Sequence, residues 1–160
     1  MPDGRWRRVV ASPLPLRFVE QGPLRQVVEA GHVVVAAGGG GVPVVEVGAE
    51  LRGVEAVVDK DRTAARLARL VGADLLLVLT DVERVQTGFG TPRARPLARL
   101  SVAQAEELLA TGELPEGSMG PKVAACVDFV RSGGKRAVIT ALERASDAVF
   151  GDAGTQVCQS

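Results

Sequence analysis

The stretch DKDRTAARLARLVGADLLLVLTD, residues 59–81, indicates the fold class because a helical pattern leads directly into a buried strand. In residues 59–71 the apolar side chains recur at helical spacing on one face, and Gly72 ends the pattern. Residues 75–79 are an unbroken apolar run without polar alternation, which is typical of parallel strands buried on both faces. This stretch therefore predicts an α/β unit.

The same alternation continues on both sides of this stretch. Short Val-rich runs predict further strands over residues 8–12, 33–37, 136–140 and 155–157. Spacing and capping residues predict helices over residues 24–30, 101–111, 122–131 and 146–150. Glycines and prolines indicate a hairpin or an irregular loop over residues 81–100. The chain is predicted to form a three-layer αβα fold around a mainly parallel sheet, with ligands at the carboxyl ends of the strands.

Length and composition limit the class of protein. The 160 residues are 46% hydrophobic and 24% charged, which predicts one ordinary globular domain. Nineteen basic residues balance nineteen acidic ones, so bulk charge gives no support to a nucleic-acid or anionic-membrane partner. One histidine and two cysteines do not make a structural zinc site or a disulfide framework. With no signal peptide and no membrane span in the sequence, we expect a cytoplasmic protein.

Four glycines, Gly38, Gly39, Gly40 and Gly41, follow the strand predicted over residues 33–37. They form either a flexible turn or a loop whose backbone N–H groups approach an anion closely. The motif is not GxGxxG, because residue 43 is proline and no helical pattern follows directly, and it is not a P-loop, because no Gly-Lys-Ser/Thr follows it.

Lysine is rare in this chain, with three lysines among nineteen basic residues, and two of them stand at predicted helix starts. Lys60 lies in DKD and Lys122 in GSMGPK, where a cation has the wrong sign for the helix dipole. That placement suits a site where both lysines face a phosphate, although both could also be incidental surface residues. We expect Lys122 on an exposed first helical turn.

Carboxylates accompany these lysines. Asp59 or Asp61 either caps the helix or orients nearby ammonium groups around a transferring phosphoryl group. Asp81, just after the predicted strand, either binds a ribose hydroxyl or caps a turn.

Five segments follow one another along the chain in this order: AAGGGGVPV, GVEAVVDKDRTAA, LLLVLTDVERV, FGTPRARPL and GSMGPKVAA. Together they resemble the carbamate kinases, which have the amino-acid kinase fold, and GRWRRVVASPLP resembles a mid-chain segment of that family. The resemblance covers nearly all of this chain but only the carboxyl-terminal half of the family. It implies that residues 1–160 are the carboxyl-terminal, nucleotide-binding half of such a domain.

The resemblance also implies an activity: ATP and carbamate are interconverted with ADP and carbamoyl phosphate, in arginine catabolism, with Mg²⁺ accompanying the nucleotide. It implies catalytic roles for Lys60, Asp61 and Lys122. It implies nucleotide contacts for Thr80, Asp81, Val82, Met119, Gly120 and Lys122, and places Gly38, Gly39, Gly40 and Gly41 beside the acceptor. No protein-held metal is implied.

A departure from the family limits these expectations. The glycine-rich loop and the lysine of the family's amino-terminal half have no counterpart here. The chain is therefore an active kinase half, an inactive truncated nucleotide-binding module, one half of a split kinase, or an interaction protein. We expect the isolated chain to be inactive, and to form homodimers or aggregates through an open sheet edge unless an amino-terminal half docks there.

Overall fold

The computed structural model describes residues 6, 8–115 and 117–160; parts of the GRWRRVV segment lie outside the described residues. In chain order the elements are α1 (Gln21–Glu29), β1 (Val44–Val47), β2 (Glu50–Gly53), α2 (Lys60–Leu70), β3 (Leu75–Thr80), β4 (Gln86–Thr87), β5 (Arg95–Pro96), β6 (Arg99–Ser101), α3 (Val102–Ala110), α4 (Met119–Arg131), β7 (Arg136–Ala141), a 3₁₀ turn (Leu142–Arg144), α5 (Ala145–Phe150) and β8 (Thr155–Cys158). Within these ranges no helix has both the length and the apolar character that crossing a membrane requires.

A four-stranded sheet in the order β3-β7-β8-β6 organises the molecule. β3 runs parallel to β7, and β6 runs parallel to β8, while β7 and β8 are antiparallel. The β3–β7 ladder extends from Leu75 opposite Arg136 to Thr80 opposite Ala141. The sheet is mixed and mainly parallel, so the predicted α/β class is confirmed.

The buried core lies between this sheet and three helices. α2, α3 and α4 contribute Ala65, Ala105 and Phe129, which pack with Ile139 of the sheet. The opposite face carries a smaller cluster, in which Ala148 of α5 packs beside the sheet. Helices on both faces of the sheet give the three layers that the sequence predicts.

Local signals in the sequence set the helix starts. Ser101 caps α3 and forms a capping box with Gln104, as predicted. Asp59 caps α2, accepting hydrogen bonds from the backbone N–H groups of Asp61 and Arg62, both at 3.0 Å. α4 begins at Met119, three residues before its predicted start.

The amino-terminal third differs from the prediction. Residues 33–37 do not form a strand, and Val33 and Val35 are each 97% exposed. Residues 8–12 form only an isolated bridge, from Ala11 to Ala56. The predicted strands are wrong because a strand needs a neighbour along its edge, and among the described residues these stretches have none beyond that bridge. The hairpin of β1 and β2, which was not predicted, is exposed throughout, and within the ranges described its strands pair only with each other.

Candidate active site

The first turns of α2 and α4 meet, and they bring Asp61 and Lys122 into contact. The Lys122 Nζ donates a hydrogen bond to Asp61 Oδ2 at 2.9 Å, and the two side chains are only 12% and 10% exposed. The Lys60 Nζ lies 4.0 Å from the same oxygen, with its side chain 62% exposed. The structure thus gathers the three residues to which the resemblance gives catalytic roles around a single carboxylate oxygen.

The two acids of the DKD motif have separate positions and partners. Asp59 caps α2, so the capping alternative applies to Asp59 and leaves Asp61 to bind Lys122. The expected exposed position of Lys122 is wrong. Its stem lies in the α2–α4 contact, where a largely buried ammonium requires a counter-charge, and Asp61 supplies it.

The four-glycine loop lies against the start of α2. The carbonyl of Gly40 accepts a hydrogen bond from Thr63 Oγ1 at 2.8 Å. A side chain at Gly40 would place its Cβ 2.0 Å from the Val58 carbonyl oxygen, and φ there is +134°. Gly38, Gly40 and Gly41 each donate their N–H to a carbonyl of Ala36 or Ala37. In this conformation the loop is therefore a tight turn whose amides are mostly engaged.

A cavity of about 210 Å³ opens at the carboxyl end of β3, where ligands bind in α/β sheets. Among its lining residues are four that were predicted to contact a nucleotide: Thr80, Asp81, Val82 and Met119. Gly120 does not line it, because Gly120 is buried and its N–H donates to the Pro115 carbonyl at 2.9 Å. Lys122 does not line it either, since its ammonium binds Asp61.

The cavity also contains residues that sequence reasoning missed, among them Arg84, Phe89 and Ser118. The Nε of Arg84 is buried and has no hydrogen-bond partner in the described part of the chain. A buried donor without a partner is costly, so an acceptor from a bound molecule would be favourable there. Arginine is the common base of this chain, with sixteen copies, and no sequence signal marks this one.

Cys126 lies beside the Asp61–Lys122 pair. Burial, and after it the charge of Asp61, raise the pKa of its thiol to about 12, while Lys122 acts in the opposite direction. The thiol therefore stays protonated at neutral pH and is a packing group rather than a nucleophile.

The acids near the site do not fit a protein-held Mg²⁺. Asp61 already has two ammonium groups near one oxygen, and Asp59 is engaged in the helix cap. Over the described ranges, no group of three His, Cys, Asp or Glu side chains could hold a metal ion.

Comparison with known proteins agrees with this architecture. The profile of the amino acid kinase family matches residues 7–141. The carbamate kinase of Halobacterium salinarum is 53% identical over 152 residues, which are 95% of this chain and 50% of that protein. The carbamate kinase of Pyrococcus horikoshii is 48% identical over 95% of this chain and 48% of that protein.

Solved structures give the same result. The structure of carbamate kinase from Giardia lamblia bound to AMP-PNP superposes with a TM-score of 0.91 at 37% identity, over 97% of this chain and 49% of that chain. This chain thus spans about half the length of the relatives it matches. Because the family profile covers most of the sequence and the fold agrees, the chain belongs to the amino acid kinase family.

Proposed function

We propose that residues 1–160 are the carboxyl-terminal, nucleotide-binding half of a carbamate kinase. Completed by its other half, this unit interconverts ATP and carbamate with ADP and carbamoyl phosphate. The observation that carries the proposal is the cluster of Lys60, Asp61 and Lys122 at two meeting helix starts. The identities of about 50% to carbamate kinases support the choice of reaction. The physiological setting, arginine catabolism in the cytoplasm, is part of the proposal and rests on the resemblance.

The chemistry of phosphoryl transfer suits this cluster, because such catalysis consists mainly of positioning and charge neutralisation. Asp61 holds the Lys122 ammonium in one place, so its charge is preorganised before substrate binds. The Lys60 ammonium lies 4.0 Å from the same oxygen of Asp61, but its side chain is exposed, so it is free to turn toward a phosphoryl group. Together the two lysines outweigh the single carboxylate and leave a net positive charge for the transferring group.

The nucleotide is proposed to bind in the cavity beside the start of α4. Val82, Phe89 and Met119 supply apolar surface for a base, and Asp81 supplies an acceptor for a ribose hydroxyl. The first turn of α4 has no side-chain cap from Ser118, and the positive end of its helix dipole favours a phosphate there. The Giardia lamblia relative was solved with AMP-PNP, a nucleotide, which supports this reading.

A second candidate is nucleotide binding without turnover. It is favoured by the composition of the described cluster. Phosphoryl transfer needs charge neutralisation on every side of the transferring group, whereas the described cluster supplies lysines from two helix starts only.

Calorimetric titration of this chain with Mg-ADP tests whether it has a nucleotide site, which both candidate functions require. We expect saturable binding with one site per chain. At 100 times the dissociation constant, Mg-ADP should stabilise the chain by about 2.7 kcal/mol. The matched variants are Lys122→Met and Lys135→Met, because Lys135 is an exposed lysine paired with Asp74 outside the cluster. Binding should weaken for Lys122→Met and not for Lys135→Met; equal affinities would contradict the proposed site.

An assay of ATP formation from ADP and carbamoyl phosphate then separates the two candidates. The chain alone is expected to be inactive, and activity is expected when the other half of the fold is present. Nucleotide binding with no ATP formation in either case would favour the second candidate.

A further inference from the structure

A second cavity adjoins the one proposed for the nucleotide, and the two share a wall. The second cavity has a volume of about 390 Å³ and is lined by Glu83, Arg84, Gln86 and Pro96. Arg84 and Gln86 also line the first cavity, whereas Glu83 and Pro96 line only the second of the two. Since a water molecule occupies about 30 Å³, the second cavity has room for a small organic molecule. The proposed reaction uses only the first cavity.

The β4–β5 hairpin forms one side of the second cavity. Gln86 of β4 and Pro96 of β5 are register partners in an antiparallel pair, so their side chains lie on the same face of the hairpin. Glu83 and Arg84 precede β4, in the connection that follows β3. The cavity therefore combines a carboxylate, a guanidinium, an amide and an apolar ring at one end of the sheet.

The two charged residues of the second cavity are incompletely paired. The Nε of Arg84 is buried, and it has no hydrogen-bond partner among the residues that the structure describes. The Glu83 Oε1 lies 4.0 Å from Arg144 Nε, beyond hydrogen-bond distance, and Arg144 is closer to Asp147, at 3.1 Å. A ligand in this cavity therefore meets a donor on Arg84 and an acceptor on Glu83.

The opposite charges of Glu83 and Arg84 limit the class of ligand. An anion alone would be attracted by Arg84 and repelled by Glu83, and a cation alone would meet the reverse. A small molecule that carries both signs is attracted by both residues. In an α-amino acid a single carbon joins the carboxylate to the ammonium, so both groups fit within one cavity. The two termini of a peptide are separated by further residues, which favours a free amino acid over a peptide.

We propose that the second cavity binds a free α-amino acid. Its carboxylate accepts charge-assisted hydrogen bonds from Arg84, and its ammonium donates to Glu83. Gln86 offers an amide to a polar side chain, and Pro96 offers apolar surface to an aliphatic one. This site goes beyond the proposed function and does not depend on nucleotide turnover.

The shared position of Arg84 couples the amino acid to the nucleotide. A carboxylate bound to Arg84 neutralises the guanidinium that also faces the first cavity, so Mg-ADP should bind more weakly. Linkage requires Mg-ADP to weaken amino-acid binding by the same factor. We expect a factor of about five, at the lower end of the range for coupled sites. This coupling, unlike the amino-acid site itself, rests on the proposed nucleotide site.

The test begins with thermal melting of the chain in the presence of each common L-amino acid at millimolar concentration. We expect at least one of them to raise the melting temperature and to bind in calorimetry with one site per chain. For the tightest of them, two analogues are then titrated: the amine that lacks the carboxylate and the N-acetyl derivative that lacks the ammonium charge. Each should bind more weakly by about tenfold or more, because each loses one charged hydrogen-bonding group. Unchanged affinity for either analogue, or no binding of any amino acid, would overturn the proposal.

Two matched variants locate the site. Glu83→Gln keeps the size of the side chain and removes its charge, and Glu107→Gln makes the same change at an exposed glutamate of α3 that lines neither cavity. Neither change should unfold the chain, because both side chains are solvated. Amino-acid binding should weaken by about tenfold for Glu83→Gln and stay unchanged for Glu107→Gln. Equal affinities for the two variants would overturn the proposed site.

A third variant distinguishes the two cavities. Phe89 is 58% exposed and lines only the first of them, so Phe89→Ala should weaken Mg-ADP binding and leave amino-acid binding unchanged. Loss of amino-acid binding in Phe89→Ala would place the amino acid in the nucleotide cavity and overturn the second site. Amino-acid binding by a chain that does not bind Mg-ADP keeps this inference and removes the proposed nucleotide site. Mg-ADP binding without amino-acid binding does the reverse.

Discussion

Replacing Lys122 by methionine should lower the stability of the unliganded chain substantially. Methionine keeps the length and apolar stem of lysine, so the change removes the charge with little loss of packing. It leaves the Asp61 carboxylate, which is 10% exposed, without its hydrogen-bonded cation at 2.9 Å. A buried charge that loses its partner costs far more than an exposed lysine on a first helical turn would.

The magnitude follows from the burial of the pair. Breaking a buried pair by removing one partner costs roughly 3–5 kcal/mol. Lys60 lies 4.0 Å from the same oxygen and retains part of the attraction, so the lower end of that range, about 3 kcal/mol, is expected. For a domain of this size each kcal/mol corresponds to roughly 2–4 °C, so the melting temperature should fall by about 6–12 °C.

Urea unfolding of wild type, Lys122→Met, Asp61→Leu and the double variant measures this cost and its origin. The double variant should recover stability to within about 1 kcal/mol of wild type, because two apolar side chains replace the whole pair. A loss below about 1 kcal/mol in Lys122→Met, with additive effects in the double variant, would refute the argument that the pair is buried and coupled.

Three further experiments test separate features of the structure. Cys126 should resist a thiol reagent at pH 8 while Cys158 reacts, and rapid modification of both thiols in the folded chain would contradict this. The free energy of unfolding should fall as pH rises from 9 toward 12, because the folded state keeps the Cys126 proton that the unfolded state loses. Gly40→Ala should cost roughly 1–3 kcal/mol by thermal melting, because of its positive φ and the nearby carbonyl, whereas Gly39→Ala, which meets no atom within 4 Å, should cost much less. Arg84→Met should weaken Mg-ADP binding by about tenfold or more in calorimetry without lowering the melting temperature, and unchanged affinity would remove Arg84 from the site.

The sequence correctly predicted the elements that pack against other described elements of this chain. α2 was predicted from apolar spacing, which matches the face that it packs against α4, and β3 from an unbroken apolar run, in which Leu76 and Val78 are buried. The strand over residues 33–37 was predicted by the same local rule, yet it is not formed. Whether an apolar run becomes a strand depends on a neighbour that no local pattern reveals.

The candidate site was predictable in its residue types and less so in its geometry. DKD and GSMGPK named Lys60, Asp61 and Lys122, but the contact between Asp61 and Lys122 joins residues 61 positions apart. That contact follows from the packing of α2 on α4, which spacing within either helix does not encode. Arg84 and Phe89 were missed because only the fold brings the β3–β4 and β4–β5 connections to the wall of the cavity. The roles of all these residues stay predictions.

Among the residues that the structure describes, the buried hydrophobic core is confined to residues 65–157, which gives the chain two levels of local stability. Amide protons of β7, whose Val138 and Ile139 are fully buried, should exchange with solvent only when the whole domain unfolds. Amide protons of α1, which has no buried residue, should exchange through small local openings. A protease would accordingly cleave first within residues 6–57, and a partner that covers this segment would lengthen the lifetime of the whole chain.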